Sequence, residues 1–400
     1  MISPAIPSSG PVSDTPFRLG VVGFGSRARI ARYAHDPDHG VLVTAIVDPD
    51  PRGRADAHDL FPDAEIVDEL GDLLTRVDAV LITTPDDQHA DPAIAALRAG
   101  VHVFCEKPMG ITIAQCDAML QAAYDTGSRL YIGHNMRHMP VVTQMRDLVG
   151  SGRIGEVKTI WCRHFVGHGG DFYFKDWHAD RSRSTSLLLQ KAAHDLDVIH
   201  WLAGGYSSRI TAMGDLMVYG DITDRAGRTG QRMADWLSDD NWPPRSLTGL
   251  NPVVDVEDVS MMLMRLDNGV LASYEQCHFT PDYWRNYTVI GDAGRIENRG
   301  DGPGGSIGVW DRRHNYAAPD EEIPIAAAEG SHGGADPLLM AEFIRFAREG
   351  GPTQTSPVAA RMAVAAGCVA ADSLRGGSGA LDVPPLAPEL IDYFDRGQEH

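Results

Sequence analysis

The chain has 400 residues, 43% of them hydrophobic and 22% charged, the balance of an ordinary globular protein of two or three domains and not of a disordered, collagen-like or coiled-coil chain. A formal net charge of −20 argues against a general nucleic-acid binder, which needs basic patches against phosphate, and fits a protein that handles small molecules. No run reaches the ~20 consecutive apolar residues of a membrane span.

Residues 1–16 are rich in Pro and Ser and lack the basic and apolar regions of a secretory signal, so a flexible N-terminal arm is expected. Cys105, Cys116, Cys162, Cys277 and Cys368 are odd in number and form no CxxC pair, which predicts free thiols and a cytoplasmic location. Strands are predicted at Arg18–Val22, Val41–Val47, Ala79–Thr83, His102–Cys105 and Arg129–Ile132. Helices are predicted between them at Arg27–His35, Arg52–Leu60, Leu70–Arg76, Pro92–Ala99 and Thr112–Thr126. Short apolar strands alternating with helices predict a parallel sheet covered on both faces, over residues 17–138.

The pattern then changes. A helix is expected at Pro140–Gly150, a strand-like run at Val157–Val166 and one long apolar helix at Ser186–Ala203. Strands follow at Ile210–Val218, Val259–Leu266, Val270–Cys277 and Asn286–Ile290, and two late helices at Leu338–Arg348 and Pro357–Ser373. Consecutive strands joined by turns such as Asp267-Asn268-Gly269 predict an antiparallel sheet in an α+β domain over 139–375. Tyr219–Val254, rich in Gly, Asp, Trp and Pro, reads as an inserted lid or oligomer contact, and 376–400 as a tail draped over the surface.

Gly23-x-Gly25-x-x-Ala28 lies between the first strand and a helix. Gly23 permits the tight turn, Gly25 lets backbone approach a pyrophosphate, and Ala28 allows close helix–strand packing. Asp48 closes the second strand, where a carboxylate accepts both ribose hydroxyls of NAD and repels a 2′-phosphate; Arg52 and Arg54 stand close enough to weaken that preference. His134/His138 and His164/His168 have i,i+4 spacing, but neither first His is followed by the Glu of the zinc-protease pattern, and no metal is expected.

Further motifs make the chain resemble a known family. Thr83-Thr84-Pro85-Asp86-Asp87-Gln88-His89 is followed by Gly100-Val101-His102-Val103-Phe104-Cys105-Glu106-Lys107-Pro108. Gly133-His134-Asn135-Met136-Arg137, Ser151-Gly152-x-Ile154-Gly155-Glu156-Val157, His194-Asp195-x-Asp197 and His332-Gly333-Gly334-Ala335-Asp336 come later. Over Arg18–Ser373 these resemble the Gfo/Idh/MocA family, named for glucose–fructose oxidoreductase and inositol dehydrogenase. The resemblance implies a Rossmann NAD-binding domain plus an α+β domain with an open, mostly antiparallel sheet, oligomeric through that sheet as a homodimer or homotetramer.

The resemblance also implies site roles. Lys107 would hydrogen-bond the reacting hydroxyl, Glu106 would touch the nicotinamide ribose, and the peptide bond before Pro108 is often cis in relatives. His194 would be general base in oxidation and acid in reduction. Gly23, Gly25, Ser26, Arg27, Ala28, Asp48, Thr84, Pro85, His89, Glu106, Lys107 and Asn135 are expected to contact NAD. Many relatives carry Asp four residues before the His, whereas position 190 here is Gln. On a continuous helix Gln190, Lys191 and His194 share a face. Gln190 would orient His194, and Lys191 would act as a lysine base or bind an anionic substrate group. Arg137, Arg163, Tyr173, Trp177, His178 and Asp195 join Lys107, Lys191 and His194 as substrate candidates, the loop residues serving equally well to fold the loop onto its own domain. His278, Tyr283, Arg285 and His332 are weaker candidates.

The reading that follows is an NAD-dependent oxidoreductase acting on a secondary hydroxyl of a sugar, glycoside or cyclitol, with no membrane or nucleic-acid partner. The alternative is an NAD-recycling glycoside hydrolase that oxidises, eliminates, adds water and reduces, on an acidic sugar held by Lys191. A non-catalytic NAD-binding sensor is opposed by the presence of both Lys107 and His194.

Overall fold

The structure, a computed structural model, describes residues 15–228, 230–313, 318–330 and 332–399. The arm expected at 1–16 lies outside the described residues apart from Thr15 and Pro16. Six strands, β1 (Phe17–Val22), β2 (Val41–Val47), β3 (Glu65–Val67), β4 (Ala79–Ile82), β5 (His102–Cys105) and β6 (Leu130–Ile132), form a parallel sheet in the order β3-β2-β1-β4-β5-β6. All of β4 and β6 is buried, as uninterrupted apolar runs require when helices cover both faces. The chain order reverses between β1 and β4, so a crevice opens at the carboxyl ends of the strands. Gly23, Asp48, Thr84 and Glu106 each stand just past such an end. The helix expected at Arg27–His35 is a 3₁₀ helix over Ser26–Tyr33.

The second sheet has nine strands: β7 (Val157–Phe165), β8 (Ser207–Asp215), β9 (Val259–Leu266), β10 (Leu271–Cys277), β11 (Trp284–Gly291), β12 (Arg295–Arg299), β13 (Ser306–Trp310), β14 (Glu321–Pro324) and β15 (Leu381–Asp382). Their order is β14-β13-β12-β11-β7-β10-β9-β8-β15, with β7 and β10 parallel and every other pair antiparallel. Buried and exposed residues alternate along β9, so one face packs on the core and the other is open. The open face carries Trp161, Met213, Met261, Leu263 and Leu271, all exposed.

Three expectations need correction, and one helix needs a check. The apolar segment 186–203 is not one helix: Leu187–Gln190 and Ala193–Ala203 are separate. The Ala192 N–H reaches back five residues to the Leu187 carbonyl, and the Gln190 carbonyl is left to accept from Lys107 Nζ at 3.4 Å. The helix Ala335–Glu349 packs on the first domain, Phe343 lying against Phe104 and Tyr131. The tail is built in rather than draped: β15 pairs with β8, Pro388–Asp395 is a helix, and the Gln398 amide bonds Leu130 N–H and C=O at 2.8 and 2.7 Å. Finally, Pro357–Arg375 is, among the described residues, the one helix long and apolar enough to cross a membrane, but it is a core helix, 83% buried over its apolar window, and its Arg361 pairs with Asp117 at 2.7 Å.

Candidate active site

The glycine turn after β1 is shaped by its neighbours. Gly23 has φ +80°, and a Cβ there would lie 2.8 Å from the Thr84 side chain, so no other residue fits without strain. A Cβ on Gly25 would meet nothing within 4 Å: the backbone faces open space on the side a pyrophosphate would approach. Ala28 is fully buried and Ser26 exposed at the helix start. Asp48 accepts from the Phe24 and Asp50 N–H groups, one on each carboxylate oxygen. Each oxygen keeps a lone pair, which suits a ribose diol. Of the two nearby cations, Arg54 donates to the Asp48 carbonyl at 2.7 Å and to Asp68 at 2.8 Å, and Arg52 pairs with Asp235 at 2.7 Å.

Other predicted cofactor residues gather around the same crevice. Arg27 is clasped by Glu106 at 2.5 Å and by Asp336 at 2.7 and 2.9 Å, and His332 bonds the same Asp336 at 2.8 Å. Asn135 donates to Asp336 at 3.2 Å, and its buried Oδ1 has no partner among the described residues. That orphaned acceptor, the open space at Gly25 and the free lone pairs of Asp48 fit a nicotinamide dinucleotide. His89 plays a different part from the one expected. It is buried, with ring nitrogens 2.7 Å from the Pro108 carbonyl and 2.9 Å from that of Thr84, so it staples the Thr84-Pro85 loop to the Glu-Lys-Pro turn. The Lys107–Pro108 bond is cis.

The second half of the crevice holds a cluster of ionisable groups. Lys107, Lys191 and His194 are half-buried and close enough to act on one another electrostatically. Burial lowers the Lys107 pKa. Burial, then Arg285 and Lys107, takes Lys191 down to about 7. Burial and the two lysines hold His194 neutral, well below the usual imidazole range. Gln190 does not orient His194 as expected: its side chain lies beside Asp86, and His194 Nδ1 has no partner among the described residues. Asp86 is what the sequence reading missed. It follows the Thr-Thr-Pro run, 5% exposed, with Oδ2 unpartnered among the described residues; burial raises its pKa to about 6 despite His89 and Lys107 nearby. A buried carboxylate in that motif, near the Glu106-Lys107-Pro108 turn, was legible only as part of the motif, not as a site.

Aromatic rings cluster beside these groups. Tyr173 has Lys191 Nζ 5.8 Å from its centroid and meets the rings of His178 and His278 edge-on at 5.4 and 5.1 Å. Trp177 stacks on His178 at 3.8 Å. His178 Nδ1 and both nitrogens of His278 are buried without partners among the described residues. Arg183 carries this loop to the first domain, 3.3 Å from Asp87.

Three substrate candidates belong elsewhere. Arg163 alternates with the inward Cys162 and His164 and therefore points to the open face of the sheet, exposed. Arg137 grips Asp197 with two bonds of 2.7 Å and the Gln354 carbonyl at 2.6 Å, stacked over Trp201; it fastens the domain junction. Asp195 is fully buried beneath the pocket. It holds His164 at 3.1 Å, Arg285 at 3.1 Å, Tyr274 at 3.1 Å and the Tyr287 hydroxyl, and these cationic and hydroxyl partners keep its carboxyl far below the usual range. Asp195 thus aims Arg285, which the sequence ranked low, at the pocket wall. The histidine pairs checked for metal face single carboxylates, His134 at Asp197 and His168 at Asp239; among the described residues no group of three or more His, Cys, Asp or Glu side chains could hold an ion.

This arrangement agrees with comparison to known proteins. Residues 17–134 match the oxidoreductase family with an NAD-binding Rossmann fold, and residues 142–297 match the GFO/IDH/MocA C-terminal domain. The chain belongs to the Gfo/Idh/MocA family. Within that family it is 25% identical to the Bacillus subtilis (strain 168) protein YteT, over 75% of this chain and 81% of YteT. It is 31% identical to an inositol 2-dehydrogenase of Salmonella typhimurium (strain LT2), over 46% of this chain and 54% of that one. It is also 31% identical to a 2,7-anhydro-N-acetylneuraminate hydratase of Mediterraneibacter gnavus, over 44% and 46%. The chain thus spans about half the length of these last two relatives. In fold it is similar to a levoglucosan dehydrogenase in complex with NADH and levoglucosan, with a TM-score of 0.73, 19% identity, and 93% and 100% of the two chains covered. The family matched over residues 17–134 is one with an NAD-binding Rossmann fold, and NAD is the cofactor of this chain.

Proposed function

We propose that the protein oxidises, or in reverse forms, a secondary hydroxyl of a sugar, glycoside or cyclitol. The observation that carries this reading is the half-buried His194, its Nδ1 without a partner among the described residues, close to Lys107 and Lys191 and to the ring cluster of Tyr173, His178 and Trp177. Bound NAD supplies the acceptor for the carbinol hydrogen. Lys107, fixed by the Gln190 carbonyl, donates to the hydroxyl oxygen and stabilises the alkoxide as it develops. His194, held neutral, takes the hydroxyl proton, and Asp86, close enough to Lys107 to act on it electrostatically, is a second proton acceptor. Rings such as Tyr173 and Trp177 suit the apolar face of a sugar or cyclitol. Asp48, with Arg52 and Arg54 both tied to carboxylates, favours NAD over NADP.

One observation favours the recycling hydrolase as a second reading. Asp86, at about 6, and Lys191, at about 7, give the pocket more near-neutral proton carriers than alcohol oxidation uses. An elimination–hydration route needs such an extra base for a C–H proton, and one relative is named a hydratase. Denaturing the purified protein and assaying released NAD(H) separates the two. An empty site, with NADH accumulating on a polyol and sugar panel, supports the dehydrogenase. Near-stoichiometric bound cofactor, with sugar C–H exchange in D₂O and no net NADH, replaces it with the hydrolase.

The five cysteines are free thiols, which supports a reducing compartment such as the cytoplasm. The open sheet face, with Met213 opposite Met261 and Leu263 opposite Ser273, is proposed to be covered by a second copy in a homodimer or homotetramer. Leu263→Asp should then shift the sedimenting species toward monomer; a wild-type protein that already sediments as a monomer removes the proposal.

A further inference from the structure

The inserted segment 219–254 does not stand away from the molecule. At its base the carboxylate of Asp258 accepts the N–H groups of Met217, Val218 and Tyr219 at 2.8–2.9 Å, and the Tyr219 hydroxyl bonds the His278 carbonyl at 2.8 Å. Trp236 donates to the Asp171 carbonyl at 2.9 Å and lies under the Arg228 guanidinium at 4.8 Å. From this anchorage on the substrate domain the tip crosses to the other domain. Arg232 pairs with Asp56, on the helix after β2, and donates to the carbonyl of Phe24 inside the glycine turn at 3.1 Å. Asp235 accepts from the Arg232 N–H at 2.8 Å and pairs with Arg52 at 2.7 Å; Arg52 also reaches the Gly230 carbonyl at 3.2 Å. Phe24 donates its N–H to Asp48, and Arg52 and Asp56 lie on the helix Pro51–Leu60 that follows Asp48, so both contacts fall at the end of the crevice that would hold adenosine.

We propose that the 230–235 tip is a clamp across the adenosine half of the NAD site: the crossed pairs Arg232–Asp56 and Asp235–Arg52 must part before the dinucleotide can leave. The clamp rests on NAD being the cofactor. It has two consequences for that site. The substrate domain contributes residues to cofactor retention, so the binding site is incomplete in the first domain alone. The Asp235–Arg52 pair also draws Arg52 away from the space beside Asp48 where a 2′-phosphate would have to sit. An exposed ion pair is individually weak, but two pairs on one short tip act together because the tip is already fastened at Trp236 and Tyr219.

The test uses the full-length protein and reads cofactor binding, not turnover. NADH affinity is titrated by fluorescence, and its dissociation rate is measured by chasing with excess NAD, for wild type, for Arg232→Ala with Asp235→Ala, and for Asp56→Arg, Arg232→Asp and their combination. The clamp predicts dissociation at least tenfold faster in the double alanine variant, faster release on raising NaCl in wild type only, and recovery toward wild type when Asp56→Arg and Arg232→Asp are combined. Dissociation within twofold of wild type in the double alanine variant, or affinity lost only through slower association, overturns the clamp while leaving the NAD site intact. The charge-reversed pair guards against a folding defect, since a misfolded tip would not be repaired by a second reversal. A wild type that binds no NADH removes the cofactor assignment and the clamp with it.

Discussion

The two halves of the crevice handle polar groups in opposite ways. On the cofactor side nearly every charge is answered by the protein itself: Arg27 by Glu106 and Asp336, Asp48 by two N–H groups, His89 by two carbonyls. On the substrate side Asp86 Oδ2, His178 Nδ1, Gln190 Oε1, His194 Nδ1 and both nitrogens of His278 are buried without partners among the described residues. Each such atom costs about 1–3 kcal/mol if left unpaired. The first half is a frame that holds its shape while a large ligand is laid on it. The second half stores unmet hydrogen-bonding capacity, which a hydroxyl-rich substrate and ordered water can satisfy.

The sharpest way to break this contrast is Lys107→Met. Turnover should fall by ~10²–10⁴-fold, the range for losing a positioned proton carrier, while fluorescence titration finds NADH binding kept. Equal loss of both would make Lys107 part of the frame. Next is Arg137→Ala, which leaves Asp197 buried with only His134. Destabilisation of about 3–5 kcal/mol in urea or thermal unfolding is expected. A near-neutral result would return Arg137 to the substrate candidates. The smallest effect belongs to Asp86→Asn. Because the Asp86 carboxyl titrates near 6, wild-type turnover should fall as pH drops below that value and the carboxylate takes up a proton. The variant should lose on the order of tenfold at pH 8 and show a flattened acid limb. An unchanged limb would place Asp86 among the structural carboxylates.

How much of this the sequence carried varies with the range of the interaction involved. The parallel sheet was readable because β1, β2, β4 and β5 are short, mostly apolar runs, and the glycine turn because its constraints are local. β12, β13 and β14 escaped notice: polar residues such as Arg295, Glu297 and Glu322 and the glycines at 302, 304 and 305 dilute their pattern. Arg163 could have been placed correctly from alternation alone, since Ile160, Cys162 and His164 mark the inward face. The break after Gln190 could not, because it depends on Lys107, 83 residues away, taking the carbonyl a continuous helix would use. Nor could the separate duties of Asp195 and Asp197, two residues apart on one helix but facing Arg285 and Arg137 respectively.

Gln398 shows what one side chain can do for a sheet. β6 is the last strand of the parallel sheet, and its outer edge would present bare N–H and C=O groups to any other extended chain. The Gln398 carboxamide is a primary amide with the donor and acceptor of a peptide unit, and it meets both groups of Leu130 as a neighbouring strand would. A single glutamine thereby acts as a one-residue false strand, sealing against intermolecular pairing the edge that lies closest to the domain junction.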